Sequence, residues 1–319
     1  MMNKTSQSKK PARPQTVDII IKFGGSAITD KTCFETLRPA QLAAAVDCVR
    51  LCVENGLSCI VVHGAGSFGH HQARKFQINT GFVTTHTKEE RQNKILGYSL
   101  TRQSVTKLDQ LVINRLIEGG VPAIQCSPGS SWELDKRQPV KWPKELVAGF
   151  LLQGLVPVFH GDCCLDAALG CCILSGDTVI KSLCGFFDVK RVVFLTDVDG
   201  IYDKPPDQPG AKLMKTISVG HDGSLKHAIS TSQSKNDVTG GIMLKLSTAV
   251  DIVVQTKGSC VVHVCSVESP AASRVCLESG QHKSGDFTTV YLENHEVNGT
   301  ASPNSILNDE VLPNGINTE

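Results

Sequence analysis

Ile60-Val61-Val62-His63-Gly64-Ala65-Gly66-Ser67-Phe68-Gly69-His70-His71-Gln72-Ala73 is an apolar β-type run that stops in a glycine-rich turn and passes straight into a helix-forming segment. Backbone N–H groups and a helix N-terminus therefore converge where an anion can sit. His70, one turn into the helix, can donate a hydrogen bond to a phosphate oxygen and can carry charge near neutral pH. Gly64, Gly66 and Gly69 also match the spacing of a dinucleotide fingerprint. That reading needs the motif in the first βα unit and an acid at the end of the next strand. Here an earlier strand already has its own glycine turn, and Glu89 and Glu90 fall in a helical segment, so a phosphate cradle is the better reading.

Upstream, Val17 to Phe23 is the first strand, continuous and apolar apart from Asp18 and Lys22, as a central parallel strand should be. It delivers Lys22 to its carboxyl end, ahead of Gly24-Gly25-Ser26. A lysine there is costly unless its charge meets an anion, and two glycines let the backbone approach that anion. Alone it would be a snorkelling strand-end lysine, but Thr29-Asp30-Lys31 brings a second ammonium just beyond the turn. Residues 1–16 are basic, carry no acid and have little apolar surface to bury, so a disordered tail is expected; as a mitochondrial presequence the segment lacks an apolar face.

Downstream, Pro39 to Asn55 is expected to be a helix, Ser58 to Val62 the second strand, and Thr87-Lys88-Glu89-Glu90 a capping box opening a helix to about Glu118. Val121 to Gln125 and Leu155 to Phe159 follow as strands, the latter closing on His160-Gly161-Asp162. Cys163-Cys164 and Cys171-Cys172 lack the gap that lets two thiolates share one zinc, so they predict a hairpin with half-buried thiols. Ser175-Gly176-Asp177 precedes a helix to about Cys184. Arg191 to Leu195 is a strand ending in the Asp- and Gly-rich turn Thr196 to Asp203, which suits a loop over a nucleotide. Asp237-Val238-Thr239-Gly240-Gly241 then starts a helix with Lys245 in its first turns, a second anion site. Val261 to Cys265 and Thr288 to Leu292 complete the sheet, and the Asn-, Ser- and Pro-rich residues from about 295 are expected to be disordered. Alternating strands and helices at this spacing predict an α/β fold with a mainly parallel central sheet.

Composition sets outer bounds. The 319 residues can bury a substantial core, and 32 basic against 31 acidic residues give no charge-based reason to expect a nucleic-acid or membrane partner. Thirteen cysteines scattered through strand and helix patterns, without an apolar leader, suit reduced buried thiols in a cytoplasmic protein.

Three separated lysines, Lys22, Lys31 and Lys245, each beside glycines at an element terminus, are what phosphoryl transfer needs, because that step is catalysed mostly by positioning and charge neutralisation. No Gly-x-x-x-x-Gly-Lys-Ser/Thr loop occurs, and no His-Arg-Asp or Asp-Phe-Gly of protein kinases. Between residues 17 and 292 the motifs at Lys22, Gly64–His70, Ser175–Asp177, Thr196–Tyr202 and Asp237–Lys245 resemble, in order, the amino acid kinase superfamily. Gly24 to Lys31 together with Gly64 to His70 looks like its isopentenyl phosphate kinases and the related phosphonate-antibiotic kinases. His71, where many archaeal relatives have proline, and Ala65, in place of a middle glycine, depart from the pattern and leave the His70 spacing intact.

The resemblance implies an open αβα sandwich, residues 17–294, with acceptor binding in the half up to about residue 172 and ATP in the other. It implies that Lys22, Lys31 and Lys245 contact the ATP phosphates and the transferring group, with Asp177 orienting the lysines. His70, with Gly69 beside it and the backbone of Ala65, Gly66 and Gly161, would grip the acceptor phosphate. ATP would lie along Gly24, Gly25 and Ser26, then by Asp197, Gly200 and Tyr202, and against Gly240 and Gly241. Magnesium would arrive on ATP without direct protein ligands, and the enzyme would be a homodimer acting on a small isoprenoid phosphate, isopentenyl phosphate to isopentenyl diphosphate. Two rivals are a kinase for another small phosphate or phosphonate and a nucleotide-binding regulator without turnover; the intact lysines, His70 and Asp177 count against the regulator. The acceptor's apolar tail is expected against the 87–118 helix and the Ser127–Trp132 loop.

Overall fold

A computed structural model of the chain describes residues 15–85, 87–225, 240–278 and 285–293. Its strands are β1 (Thr16–Val17), β2 (Ile19–Phe23), β3 (Cys59–His63), β4 (Ala123–Gln125), β5 (Glu133–Asp135), β6 (Gln138–Lys141), β7 (Val156–His160), β8 (Asp162–Asp166), β9 (Gly170–Leu174), β10 (Asp188–Val189), β11 (Arg191–Thr196), β12 (Thr216–Val219), β13 (Val261–Ser266) and β14 (Phe287–Leu292). Its α-helices are α1 (Gly25–Ile28), α2 (Pro39–Glu54), α3 (Gly66–Lys75), α4 (Lys88–Glu118), α5 (Lys144–Leu152), α6 (Gly176–Phe186), α7 (Gly240–Gln255) and α8 (Ala271–Leu277).

One eight-stranded sheet, in the order β12-β14-β13-β11-β2-β3-β7-β4, runs through the molecule, parallel at every pairing except β13 with β14. Its central strands are buried on both faces, so their side chains divide between two cores. Ile20, Ile60, Val62 and Phe194 pack on one face with residues of α5, α6 and α7. Ile19, Ile21, Val61 and Val193 pack on the other with α2, α4 and α8. Alternating residues of one strand thus feed opposite cores, and the fold is an αβα sandwich.

The first strand begins later than its apolar run suggests. Asp18 leaves the line and accepts hydrogen bonds from the N–H and hydroxyl of Ser58, both at 2.8 Å, so Val17 joins Thr16 in a separate two-residue strand beside β10. Thr16, expected in the disordered tail, therefore lies in a strand; residues 1–14, and 294 onward, fall outside the described residues. The cysteine hairpin is β8 with β9. Cys163 and Cys171 turn toward Ile78, while Cys164 and Cys172 turn into the larger core. All thirteen cysteines are free thiols, with Cys33 exposed and Cys126 half-buried. Among the described residues no helix is long and apolar enough to cross a membrane.

Candidate active site

The glycines after β2 and β3 let two turns meet backbone to backbone. A Cβ added at Gly25 would lie 2.6 Å from the amide nitrogen of Gly66, and one at Gly64 would lie 2.7 Å from that of Gly25. Gly66 sits at φ +51°, where a side chain would also strike Thr29. Thr29 ties the pair: its hydroxyl donates to the Gly25 carbonyl (2.6 Å) and accepts from the Ser67 N–H (3.0 Å). The turn releases α3 with His70 in its second turn. Opposite, Ser175 caps α6 by accepting from the Thr178 N–H (3.1 Å), which brings Gly176 and Asp177 to the same space.

That space is a cavity of about 320 Å³. Of the residues singled out in the sequence, Lys22, Lys31, His70, Asp177 and Lys245 all line it, with Gly24, Gly25, Ser26, Ala65, Gly66, Gly69 and Gly161. They come from β2, α1, α3, α6, α7 and three strand-end turns, which the parallel sheet gathers at its carboxyl edge, where ligands of open α/β sheets bind.

Lys22 is buried and ion-paired with Asp177, and its ammonium stands 5.2 Å over the Phe194 ring. Lys31 is largely exposed, with its ammonium 3.9 Å from an Asp197 carboxylate oxygen. Burial lowers the pKa of Lys245 first and the Lys22 charge next; Asp197 and Asp177 oppose this, and Lys31 adds to the repulsion. The three ammoniums are thus short of negative charge among themselves, a shortage that a polyphosphate would relieve. His70 is reached by solvent through the cavity, and its pKa also lies below the ordinary histidine value, through burial first and then the charges of Lys31, Arg74 and His71.

Other expected residues stand elsewhere. Asp197 is outside the cavity wall but acts on the site through its pairing with Lys31 and its charge on Lys245, and neither Gly200 nor Tyr202 lines the cavity. A Cβ on Gly200 would fall 2.4 Å from the Thr288 hydroxyl, so that glycine permits close packing, and the Tyr202 hydroxyl donates to Asp199 (3.3 Å). Gly240 and Gly241 open α7, while Asp237 to Thr239 lie outside the described residues. Gly161 contributes room more than a donor, because its N–H is committed to the His63 carbonyl at 3.0 Å.

For the rest of the wall the sequence pointed to the 87–118 helix but to no individual residue. Ala73, Val105, Ile173, Leu174 and Leu244 give it an apolar side, with Thr101, Cys163 and Asp162 between. The 87–118 helix supplies Thr101 and Val105 at helical spacing, a signal that could have been read. The Ser127–Trp132 loop does not line the cavity; it supports Asp162, which accepts from Ser127 Oγ (3.2 Å) and the Gly129 N–H (2.9 Å) and pairs with Arg102.

The chain matches the model of the amino acid kinase family over residues 19–266. It is 35% identical over 289 residues to an isopentenyl phosphate kinase of Arabidopsis thaliana, covering 76% of this chain and 85% of that one. To an isopentenyl phosphate kinase of Methanothermobacter thermautotrophicus it is 33% identical over 234 residues, covering 72% and 84%. Its fold superposes on a crystal structure of the T. acidophilum isopentenyl phosphate kinase product complex with TM-score 0.66 and 26% identity, over 86% of this chain and all of that one. The chain belongs to the amino acid kinase family, in its isopentenyl phosphate kinase branch.

Proposed function

We propose that the chain transfers the γ-phosphoryl group of ATP to isopentenyl phosphate, giving isopentenyl diphosphate and ADP. The observation that carries this reading is one cavity lined by three lysines, by His70 and by an apolar wall. In the reaction a phosphate oxygen of the acceptor forms the new P–O bond to the γ-phosphorus while the bond to the β-phosphate oxygen breaks and ADP leaves. Both partners are anions, so cationic or donor groups are needed on each side of the transition state. Lys22, held by Asp177, and Lys245 would neutralise the transferring group and the ATP phosphates, with Lys31 between them; His70 and the Ala65–Gly66 turn would hold the acceptor phosphate. Magnesium carried on the ATP phosphates would supply further charge neutralisation there.

The apolar wall suits a short hydrocarbon tail. Five carbons should contribute about 0.8 kcal/mol per buried CH₂, so methyl phosphate should forgo about 3 kcal/mol, roughly two orders of magnitude in kcat/KM. Longer tails should be excluded by close packing. A coupled ADP-release assay with alkyl and prenyl phosphates of one to ten carbons, and small phosphonates, tests this directly. The five-carbon phosphates should give the peak. A flat profile, or an optimum for a polar phosphonate, would move the activity to another small phosphate or phosphonate.

A second expected result concerns His70. In the ligand-free protein its pKa is lowered, whereas a bound phosphate dianion would raise it. Between those two values the free protein is neutral at His70 and the complex is protonated, so acceptor binding should take up protons there and not at pH above both values. Calorimetry near pH 7 in buffers of different ionisation enthalpy should show this uptake for the wild type and lose it in His70→Ala. An identical proton count in the two proteins would show that His70 does not meet the phosphate.

A further inference from the structure

Behind the acceptor side of the cavity lies a group of buried polar side chains with no evident part in the transfer itself. The strands β3 and β7 are parallel neighbours, each ends in His-Gly, and His63 is in register with His160. Both histidines have no exposed surface, and their rings stack at 5.4 Å. Each ring turns its Nδ1 to the carbonyl oxygen of the glycine that follows: His63 to Gly64 and His160 to Gly161, both at 3.1 Å. A carbonyl only accepts, so in both rings Nδ1 carries the proton. At their far side, His63 Nε2 meets a carboxylate oxygen of the fully buried Asp109 on α4 at 3.0 Å. Gln125 of β4 donates to the other Asp109 oxygen at 2.5 Å. Among the described residues His160 Nε2 has no hydrogen-bond partner, and it lies 3.9 Å from both Asp109 and Asp162. Burial opposes ionisation of Asp109, but the His63 hydrogen bond, the two histidines and Gln125 outweigh it, so its pKa stays below the ordinary carboxylate value.

Ionic groups enclosed in this way cost desolvation and are poor contributors to stability compared with a packed apolar trio. Their arrangement points to another use. Gly64 and Gly161, the residues they hold, are both in the cavity wall. A trans peptide sets its C=O and N–H on opposite sides, so fixing the Gly64 carbonyl against His63 fixes the direction of the Ala65 N–H at the start of α3. Asp109 ties this to α4, the same helix that gives Thr101 and Val105 to the wall.

We propose that His63, Asp109 and His160 are positioning residues for acceptor binding: stacked between two strand ends and anchored to α4, they lock the Gly64 and Gly161 peptides that shape the acceptor-phosphate cradle. The proposal rests on the acceptor site described above.

The test compares His160→Leu, His160→Asn and Gln125→Met. An asparagine amide N–H stands near the place of Nδ1–H, so it can still hold the Gly161 carbonyl, whereas leucine fills the space without a donor. His160→Leu should raise KM for isopentenyl phosphate at least tenfold while KM for ATP stays within twofold; His160→Asn should return to within about threefold of wild type. Gln125 is exposed on β4, so Gln125→Met leaves the core untouched and should raise the acceptor KM about threefold by loosening Asp109. It remains informative should His160→Leu not fold. Equal KM values in His160→Leu and His160→Asn, or KM shifts shared by ATP and acceptor, would overturn the proposal, as would an unchanged acceptor KM in Gln125→Met. A wild-type enzyme that turns over some other phosphate and not isopentenyl phosphate would instead overturn the reading beneath it.

Discussion

Lys22→Met is expected to lower kcat by about three orders of magnitude, ~4 kcal/mol of transition-state stabilisation, with a smaller effect on KM for ATP. Phosphoryl transfer leaves little covalent work to the protein, so a buried ammonium aimed at the transferring group carries much of the catalysis. Methionine keeps the length and the packing over Phe194 but removes the charge. It also leaves Asp177, 8% exposed, as a buried carboxylate without its ion-pair partner, with Lys245 nearby to offset it in part. A stability loss of about 2–3 kcal/mol should therefore accompany the kinetic loss. The double variant Lys22→Met with Asp177→Leu separates the two effects. Removing both partners of a buried pair is nearly neutral or stabilising, so thermal unfolding should recover toward wild type while kcat does not. If kcat recovers with stability, or Lys22→Met keeps full activity at saturating ATP, Lys22 is a structural ion pair and no more.

The sheet was legible because its central strands are buried on both faces and so appear as unbroken apolar runs. Ile19–Phe23, Cys59–His63 and Arg191–Thr196 need no tertiary information to be found. The start of α4 was legible for another local reason: the Thr87 hydroxyl accepts from the Glu90 N–H while the Glu90 carboxylate accepts from the Thr87 N–H. The strand β12 and the strands β5 and β6 have three or four residues each, too few to show a period, and are fixed by their neighbours in space. Val17 was misjudged because nothing in its own sequence says that Asp18 will turn toward Ser58, forty positions away.

The site divides along the same line. Lys22, His70 and Lys245 stand beside glycines at element ends, so their residue types already conflict with an ordinary core or surface role. The apolar wall has no such conflict: Val105, Ile173 and Leu244 come from α4, β9 and α7, and only the fold makes them neighbours. Gly200 is a different case: its place in an Asp- and Gly-rich turn suggested a nucleotide, and in the structure its missing side chain makes room for Thr288.

His70→Ala should carry the second large loss, about 10²- to 10³-fold in kcat/KM for isopentenyl phosphate, or ~3–4 kcal/mol, with KM for ATP nearly unchanged. The asymmetry follows from where the side chain stands. It stands in the cavity wall on α3, the helix that the Ala65–Gly66 turn opens, and on a different element from Lys22 and Asp177. Its lowered pKa means that the free enzyme holds it neutral at physiological pH, so the hydrogen bond gains charge only once the acceptor arrives and strengthens as the new P–O bond forms. Glutamine keeps a donor at nearly the same reach without the charge, so His70→Gln should lose less, about tenfold. Neither change should cost stability, since the side chain is accessible and makes no hydrogen bond among the described residues that either change would break. The measurement is steady-state kinetics with each substrate varied at saturation of the other, with thermal unfolding as the control for folding. Near-wild-type turnover of isopentenyl phosphate by His70→Ala would remove His70 from the acceptor site, and an effect confined to ATP would transfer it to the nucleotide.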